Sequence, residues 1–284
     1  SELLGRALAE PFDSYADSLI CDRAIIGGWP RSSEPIKPYT TAETMNAGWC
    51  WQIEHEHWIN RGYVFSSRHL SDEEAAAEFL GQNPLIKDEP RIVRFRTGRY
   101  RRAWVQNVVA IGNACGFVEP LEATALTAIT EQCRTLAQCL HESFLEPAPG
   151  MRDLHNQFVA DNWDEIRDFI ALHYKFNSRL ETPFWRVCRE EIKLHTVQPL
   201  VDFYQENGPT AFHSKVLLRP LSSFGMEGYL AMLVGQKVPH AKPYTPPADE
   251  LAVWNRICAE NAARARGGLT VQEGLEVVRR VAAR

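Results

Sequence analysis

The amino-acid sequence predicts an α+β fold, and three observations carry that prediction. Apolar, β-branched stretches bounded by glycine or proline recur through the first part of the chain and read as strands. A strand, a glycine-containing turn and a helix start follow one another between Trp104 and Leu140. Beyond residue 140 the apolar residues fall into helical spacing, so the chain divides into a β-containing domain over 1–140 and a mainly helical lobe over 141–284.

Taken in order, Leu3, Leu4, Ala7 and Leu8 predict a short helix that ends at Pro11, and residues 19–26 predict a strand stopped by Gly27-Gly28. A loop punctuated by Pro30, Pro35 and Pro38 follows. Residues 49–53 and 63–66 then form two strands of an antiparallel hairpin joined by the polar segment 54–62. Ser71, with Glu74 three residues later, is a capping box that starts a helix running to about Leu80. Residues 91–97 read as a further strand, turning at Gly98. In the lobe, Phe158, Ile166, Phe169, Ile170, His173 and Tyr174 share a helical face, and residues 184–204 predict a second helix. Pro209, Pro220, Pro239, Pro243, Pro246 and Pro247 mark a loop-rich stretch before two closing helices, 248–266 and 270–282, the latter with a Thr270/Glu273 capping box.

With 284 residues, 45% of them hydrophobic and 24% charged, the chain has the composition of a globular protein with a good core. A net charge of −5 gives no overall attraction to nucleic acid or to an anionic membrane, and no apolar run is long enough to cross one. The seven cysteines are scattered, without Cys-x-x-Cys spacing, which favours neither a disulfide framework nor a structural zinc site. A reducing cytoplasm is the expected location.

The junction carries the chemistry. Val108 to Ile111 reads as a buried strand ending at Gly112. From Leu121 the period changes, with Leu126, Ile129, Cys133, Leu136 and Leu140 forming one stripe of a helix whose first turn holds Pro120 and Glu122. The first turn of a helix leaves backbone N–H groups without partners at the positive end of its dipole, so such a junction is suited to an anion.

Three blocks resemble the flavin-dependent tryptophan halogenases. The first is Gly116-Phe117-Val118-Glu119-Pro120-Leu121-Glu122 with Thr124, preceded by Trp104, Asn107 and Ala110-Ile111-Gly112. The second is Trp49-Cys50-Trp51-Gln52-Ile53, and the third is Thr182-Pro183-Phe184-Trp185-Arg186. The resemblance covers residues 1–205 and implies a flavin-monooxygenase-type fold, of which this chain is the C-terminal portion: antiparallel strands and the strand-turn-helix of the FAD domain, followed by a helical substrate lobe. The family's Gly-x-Gly-x-x-Gly fingerprint and its lysine belong to an N-terminal part, and neither motif is found here. The chain alone is therefore expected to be inactive.

Residue by residue, the resemblance implies FAD contacts at Gly112, Gly116, Pro120 and Leu126. It implies chloride or bromide binding at the backbone of Thr124 and Ala125, although Ala125 stands where the family has glycine. Glu122 matches the catalytic glutamate, expected here to have no partner in the absence of the lysine. Trp49, Trp51 and Ile53 match the block separating flavin from substrate, with Glu54 in place of a proline. Phe184 and Trp185 match aromatics that sandwich an indole, and His173-Tyr174 stands at a Tyr-Tyr pair. The polar residues that clamp a free amino acid fall on Leu180 and Arg189, so the substrate is expected to be an aromatic small molecule other than free tryptophan. A flavin reductase supplying reduced FAD is the implied partner, and a homodimer is left open.

Each of these residues also has a plain structural reading. Glu119 and Glu122 complement a helix dipole, Thr124 and Ala125 are ordinary first-turn residues, and Trp49 and Trp51 share one strand face as core aromatics. His55 and His57 have no evident third ligand, so a polar loop is favoured over a metal site. Arg91, Arg94, Arg96, Arg99, Arg101 and Arg102 read as a solvated strand edge rather than a nucleic-acid contact. The functional alternatives are a hydroxylating flavin monooxygenase and a non-catalytic protein that binds aromatic ligands.

Overall fold

The computed structural model describes residues 2–210, 217–219 and 222–282. After a helical turn over Glu2–Ala7 come β1 (Phe12–Ser14), β2 (Arg23–Pro30), β3 (Thr41–Met45), β4 (Gly48–Glu54) and β5 (Trp58–Phe65). Helix α1 (Asp72–Gln82) leads to β6 (Arg91–Arg94), β7 (Gly98–Tyr100), β8 (Trp104–Val105), β9 (Val108–Val109) and β10 (Gly116–Phe117). The helical part holds α2 (Ala125–Glu142), α3 (Pro149–Lys175), α4 (Pro183–Glu190), α5 (Gln198–Asn207), α6 (Gly225–Gly235), α7 (Ala248–Arg266) and α8 (Val271–Ala282). The strands form a five-stranded antiparallel sheet in the order β3-β4-β5-β2-β6, a three-stranded sheet β1-β7-β10 and the pair β8-β9. The predicted α+β class holds.

The hairpin is present and longer than predicted, joined by a tight turn at His55–His57 in which His55 N–H donates to the Trp58 carbonyl. The predicted strand 19–26 begins later and runs through both glycines, because Gly27 and Gly28 are pressed against neighbours rather than turning the chain. A Cβ on Gly28 would lie 2.4 Å from the Ile59 carbonyl oxygen and from the Trp58 indole nitrogen. Predicted strand 91–97 ends at Arg94. Both capping boxes are present: Ser71 with Glu74, and Thr270 with Glu273.

The basic run begins on an edge strand and is largely paired, with Arg94, Arg101 and Arg102 still more than half exposed. Arg94 pairs with Asp72, Arg99 with Asp164 and Asp13, Arg101 with Asp13 and Arg102 with Glu10, while Arg96 lies over the Phe12 ring.

Helix α3 is the axis of the main core. Buried residues occur on all of its sides, from His155 to Tyr174, as befits a helix packed between layers rather than on a surface. Its polar side chains tie down the small sheets: Asn156 exchanges hydrogen bonds with Trp104 N–H and C=O at 2.7 and 3.0 Å, and Asp164 accepts from Tyr15 and Arg99 at 2.6 and 3.0 Å. One continuous cluster runs from Leu4 to Val238, drawing on both sides of residue 140, and a second lies between the large sheet and α1.

Several expectations are corrected. The predicted helix over 184–204 is broken into α4 and α5, because Gln198-Pro199 restarts the helix after a short turn at His195–Val197. The stretch expected to be loop contains α6; Pro220 within it lies outside the described residues. Strand β9 is only Val108–Val109 and is half-buried. Helices α7 and α8 contain no buried residue, and Trp254 is 62% exposed.

Candidate functional site

The turn between β10 and α2 differs from the expected first helical turn. Ala123 takes a left-handed conformation (φ 51°), which costs roughly 1 kcal/mol for a residue with a Cβ, and its N–H donates to the Pro120 carbonyl at 3.0 Å. The helix therefore begins at Ala125, and Pro120 and Glu122 stand in the turn before it. Thr124 is the N-cap residue but makes no side-chain capping bond, and Ala125, Leu126 and Thr127 are exposed. The predicted apolar stripe is not the buried one: Leu126 is 76% exposed, and the residues of α2 that are buried are Ala128, Gln132 and Cys139. Gly112, also left-handed (φ 57°), presses against α2, where a Cβ would lie 2.6 Å from Ile129, and its N–H donates to Gln132 at 2.7 Å. Gly116 packs against the Trp163 indole.

A cavity of about 380 Å³ opens between the large sheet and the C-terminal end of α3. Glu43 and Thr44 of β3, Trp49 of β4, Leu121, His173, Tyr174, Trp185 and Lys237 contribute to its wall. Strand β3 was not predicted, yet it supplies one side.

The floor is an aromatic cluster around one carboxyl. Glu119 is 1% exposed and accepts from the Trp49 indole N–H at 2.8 Å and from the Tyr174 hydroxyl. Among the described residues its other oxygen has no hydrogen-bond partner. Burial pushes this carboxyl up to about 7, with the two hydrogen bonds acting in the opposite direction. Tyr174 stacks on Trp185 at 5.7 Å, Phe184 meets Trp185 edge-on at 4.9 Å, and Trp185 donates to the Met45 carbonyl at 2.8 Å. Phe184 supports this cluster from behind and does not line the cavity. Trp49 and Trp51 share a face with centroids 5.9 Å apart, Trp51 being half-buried over Gly62 and bonded to Asn60, while Ile53 is exposed near the end of the strand.

At the mouth, Glu122 is not alone: its carboxylate meets His173 Nε2, and both side chains are 27% exposed. The two residues lie 51 positions apart, and only the packing of α3 against the turn joins them. Glu43 is held by the buried Arg61 through contacts of 3.1 and 2.8 Å, and Arg61 keeps its carboxyl below the usual range. Arg189 is occupied in the loop behind the mouth, donating to the Asn177 and Leu180 carbonyls at 2.9 and 3.1 Å and pairing with Glu181. Among the described residues there is no group of three or more His, Cys, Asp or Glu that could hold a metal ion, and no helix is long and apolar enough to cross a membrane.

Glu119 and Arg61 were missed as organisers of the site. Glu119 was legible only as a dipole partner, because nothing local shows that it is buried.

The family profile described as tryptophan halogenase matches residues 1–252. The chain is 34% identical over 211 residues to the tryptophan 6-halogenase ThaL of Streptomyces albogriseolus, covering 73% of this chain and 39% of that one. It is 35% identical over 207 residues to the tryptophan 7-halogenase RebH of Lentzea aerocolonigenes, with 72% and 39% covered. Among solved structures it is similar to MibH, described as a lathipeptide tryptophan 5-halogenase, at 40% identity and a TM-score of 0.85, covering 96% of this chain and 53% of that one. The chain thus spans about two-fifths of the length of those curated relatives and about half that of the solved structure. With the three motif blocks on their elements and the profile covering nearly the whole fold, the chain belongs to the flavin-dependent tryptophan halogenase family.

Proposed function

We propose that the protein takes part in flavin-dependent halogenation of an aromatic ring, using reduced FAD, oxygen and chloride or bromide. The observation that carries this reading is the turn at Pro120–Thr124: Glu122 within it meets a cavity residue, and the uncapped start of α2 that follows it is exposed. An uncapped helix start suits a halide through its backbone N–H groups, here those following Thr124. The exposed apolar Leu126 beside it, with Gly112 and Pro120 nearby in sequence, suits the flat ring of a flavin. When bound, the flavin supplies the oxidising equivalents that turn halide into hypohalous acid. The chain's own residues separate and orient: Trp49 and Trp51 form a wall, and Trp185 and Tyr174 offer aromatic faces to a ring in the cavity.

The finer reading is that the ring is not presented as free tryptophan. Arg189 spends its donors on the 177–181 loop, and Glu43, the carboxylate on the cavity wall among the described residues, is engaged by Arg61 rather than free to bind an α-ammonium group. A tryptophan within a peptide suits the open cavity, and MibH, described as a lathipeptide halogenase, supports that choice. In this reading residues 1–140 complete the flavin domain and 141–284 cover the substrate. A flavin reductase is the partner, and the setting is cytoplasmic.

The test supplies the flavin-loaded protein at its natural length with a reductase, bromide and either indole, free tryptophan or a tryptophan-bearing peptide, and reads products by mass. Bromide-dependent bromination of indole or of the peptide, in preference to the free amino acid, is expected. Oxygen incorporation with no halide requirement would establish a hydroxylase and overturn the proposal.

A further inference from the structure

Resting on the halogenation reading, we propose that His173 takes the ring proton and that Glu122 is the residue that positions it. Three observations converge on this pair. His173 lines the cavity whereas Glu122 does not, so the member of the pair that a bound ring meets is the imidazole. Second, the other ionisable groups on the cavity wall are committed or cationic. Glu43 is tied to Arg61, the Tyr174 hydroxyl donates to Glu119, and the side chains of Arg179 and Lys237 are hydrogen-bond donors only. Third, Phe169 meets the imidazole edge-on at 6.0 Å, so the ring is packed from one side while Glu122 holds Nε2.

A carboxylate against Nε2 selects the tautomer with its proton on Nε2 and leaves Nδ1 with a lone pair. This is the logic by which a carboxylate orients a catalytic histidine and stabilises the imidazolium that forms. A π pair of the aromatic ring forms the carbon–halogen bond as the oxygen–halogen bond of hypohalous acid breaks, its pair leaving as hydroxide. The ring C–H bond then breaks, its pair restores aromaticity, and the proton passes to Nδ1 of His173. His173 returns that proton to hydroxide, so that arene and hypohalous acid become haloarene and water.

The experiment has two arms. In the first, the flavin-loaded protein brominates indole and ring-deuterated indole, and hypobromite formed in the absence of indole is trapped separately. His173→Ala is expected to form hypobromite at the wild-type rate but to brominate indole about 100-fold more slowly, the low end of general-base contributions. Its reaction should acquire a primary deuterium isotope effect and recover with added imidazole, and His173→Gln should behave the same way without rescue. Glu122→Gln should also slow bromination, with no rescue. Bromination by His173→Ala within about two-fold of wild type, or with no isotope effect, overturns the assignment. Flavin-loaded wild-type protein of natural length that makes neither hypobromite nor bromoindole overturns the functional reading instead, and the proton role with it.

The second arm needs no flavin. Imidazole nitrogen-15 shifts of the full chain, assigned with His173→Gln, should show the proton of His173 on Nε2, and Glu122→Gln should abolish that preference. A proton resting on Nδ1 overturns the pair whether or not the protein halogenates.

Discussion

At the floor of the cavity Trp49, Tyr174 and Trp185 are 6%, 2% and 2% exposed, and the polar atoms of their side chains are bonded to Glu119 or to backbone. At the mouth, His173 and Glu122 are partly open and paired with each other, and Ser178, Arg179 and Lys237 are exposed. Two glutamates three residues apart share one turn and differ in everything else. Burial raises the carboxyl of Glu119, whereas Glu122 meets solvent and a histidine. The contrast teaches that the floor is part of the core and keeps its shape through packing, while the mouth is free to differ with the substrate it admits. Substitutions should therefore separate stability from function along the depth of the cavity.

The largest effect is expected for Trp185→Ala, which empties a fully packed site and should lower unfolding free energy by about 3–5 kcal/mol in denaturant titrations. A loss below about 1 kcal/mol would mean that the floor is not built as described.

Next comes the pH dependence carried by Glu119. Its folded value, about 7, lies above the reference of 4.5, so between these values the folded state holds more protons than the unfolded state. Stability from this group is fully present below about 4.5 and is lost as pH rises through about 7, amounting to about 3 kcal/mol. Glu119→Gln should flatten that part of the stability profile, and an unchanged slope would remove Glu119 as its source.

Tyr174→Phe should cost about 1–2 kcal/mol, since it takes one of two donors from a buried carboxyl. The mouth sets the lower limit: Arg179→Ala is expected to change stability by less than about 0.5 kcal/mol, as exposed substitutions do. A loss as large as that at Tyr174 would erase the distinction between floor and mouth.

Local signals in the sequence were read well where the physics is local. The two capping boxes need only a hydroxyl and a carboxylate three residues apart, and both are present. The hairpin was legible from alternation. Strand β3 was not, because a sheet-edge strand of Thr, Ala, Glu, Thr and Met carries no apolar alternation. Helix α6 is apolar around most of its circumference and begins and ends on glycine, so it shows no period. Gly27 and Gly28 read as a stop because a glycine pair signals a turn locally, whereas here it admits Ile86 and Trp58 against the strand.

The site divides in the same way. Its three motif blocks, Trp49 with Trp51, the turn from Glu119 to Thr124, and Phe184 with Trp185, were visible as residues, and the family followed from their order and spacing. The helix was expected to hold Pro120 and Glu122 in its first turn. The left-handed Ala123 moves its start to Ala125 and frees Glu122 to reach His173.

The sequence by itself determined the class of fold, the caps, the hairpin and the family, since each depends on residues near one another in the chain or on a matched pattern. Only the tertiary structure decided which glutamate is buried, which histidine meets the other, and which arginines are neutralised. Burial and pairing are set by the approach of α3 to the turn before α2, and no local pattern encodes that approach.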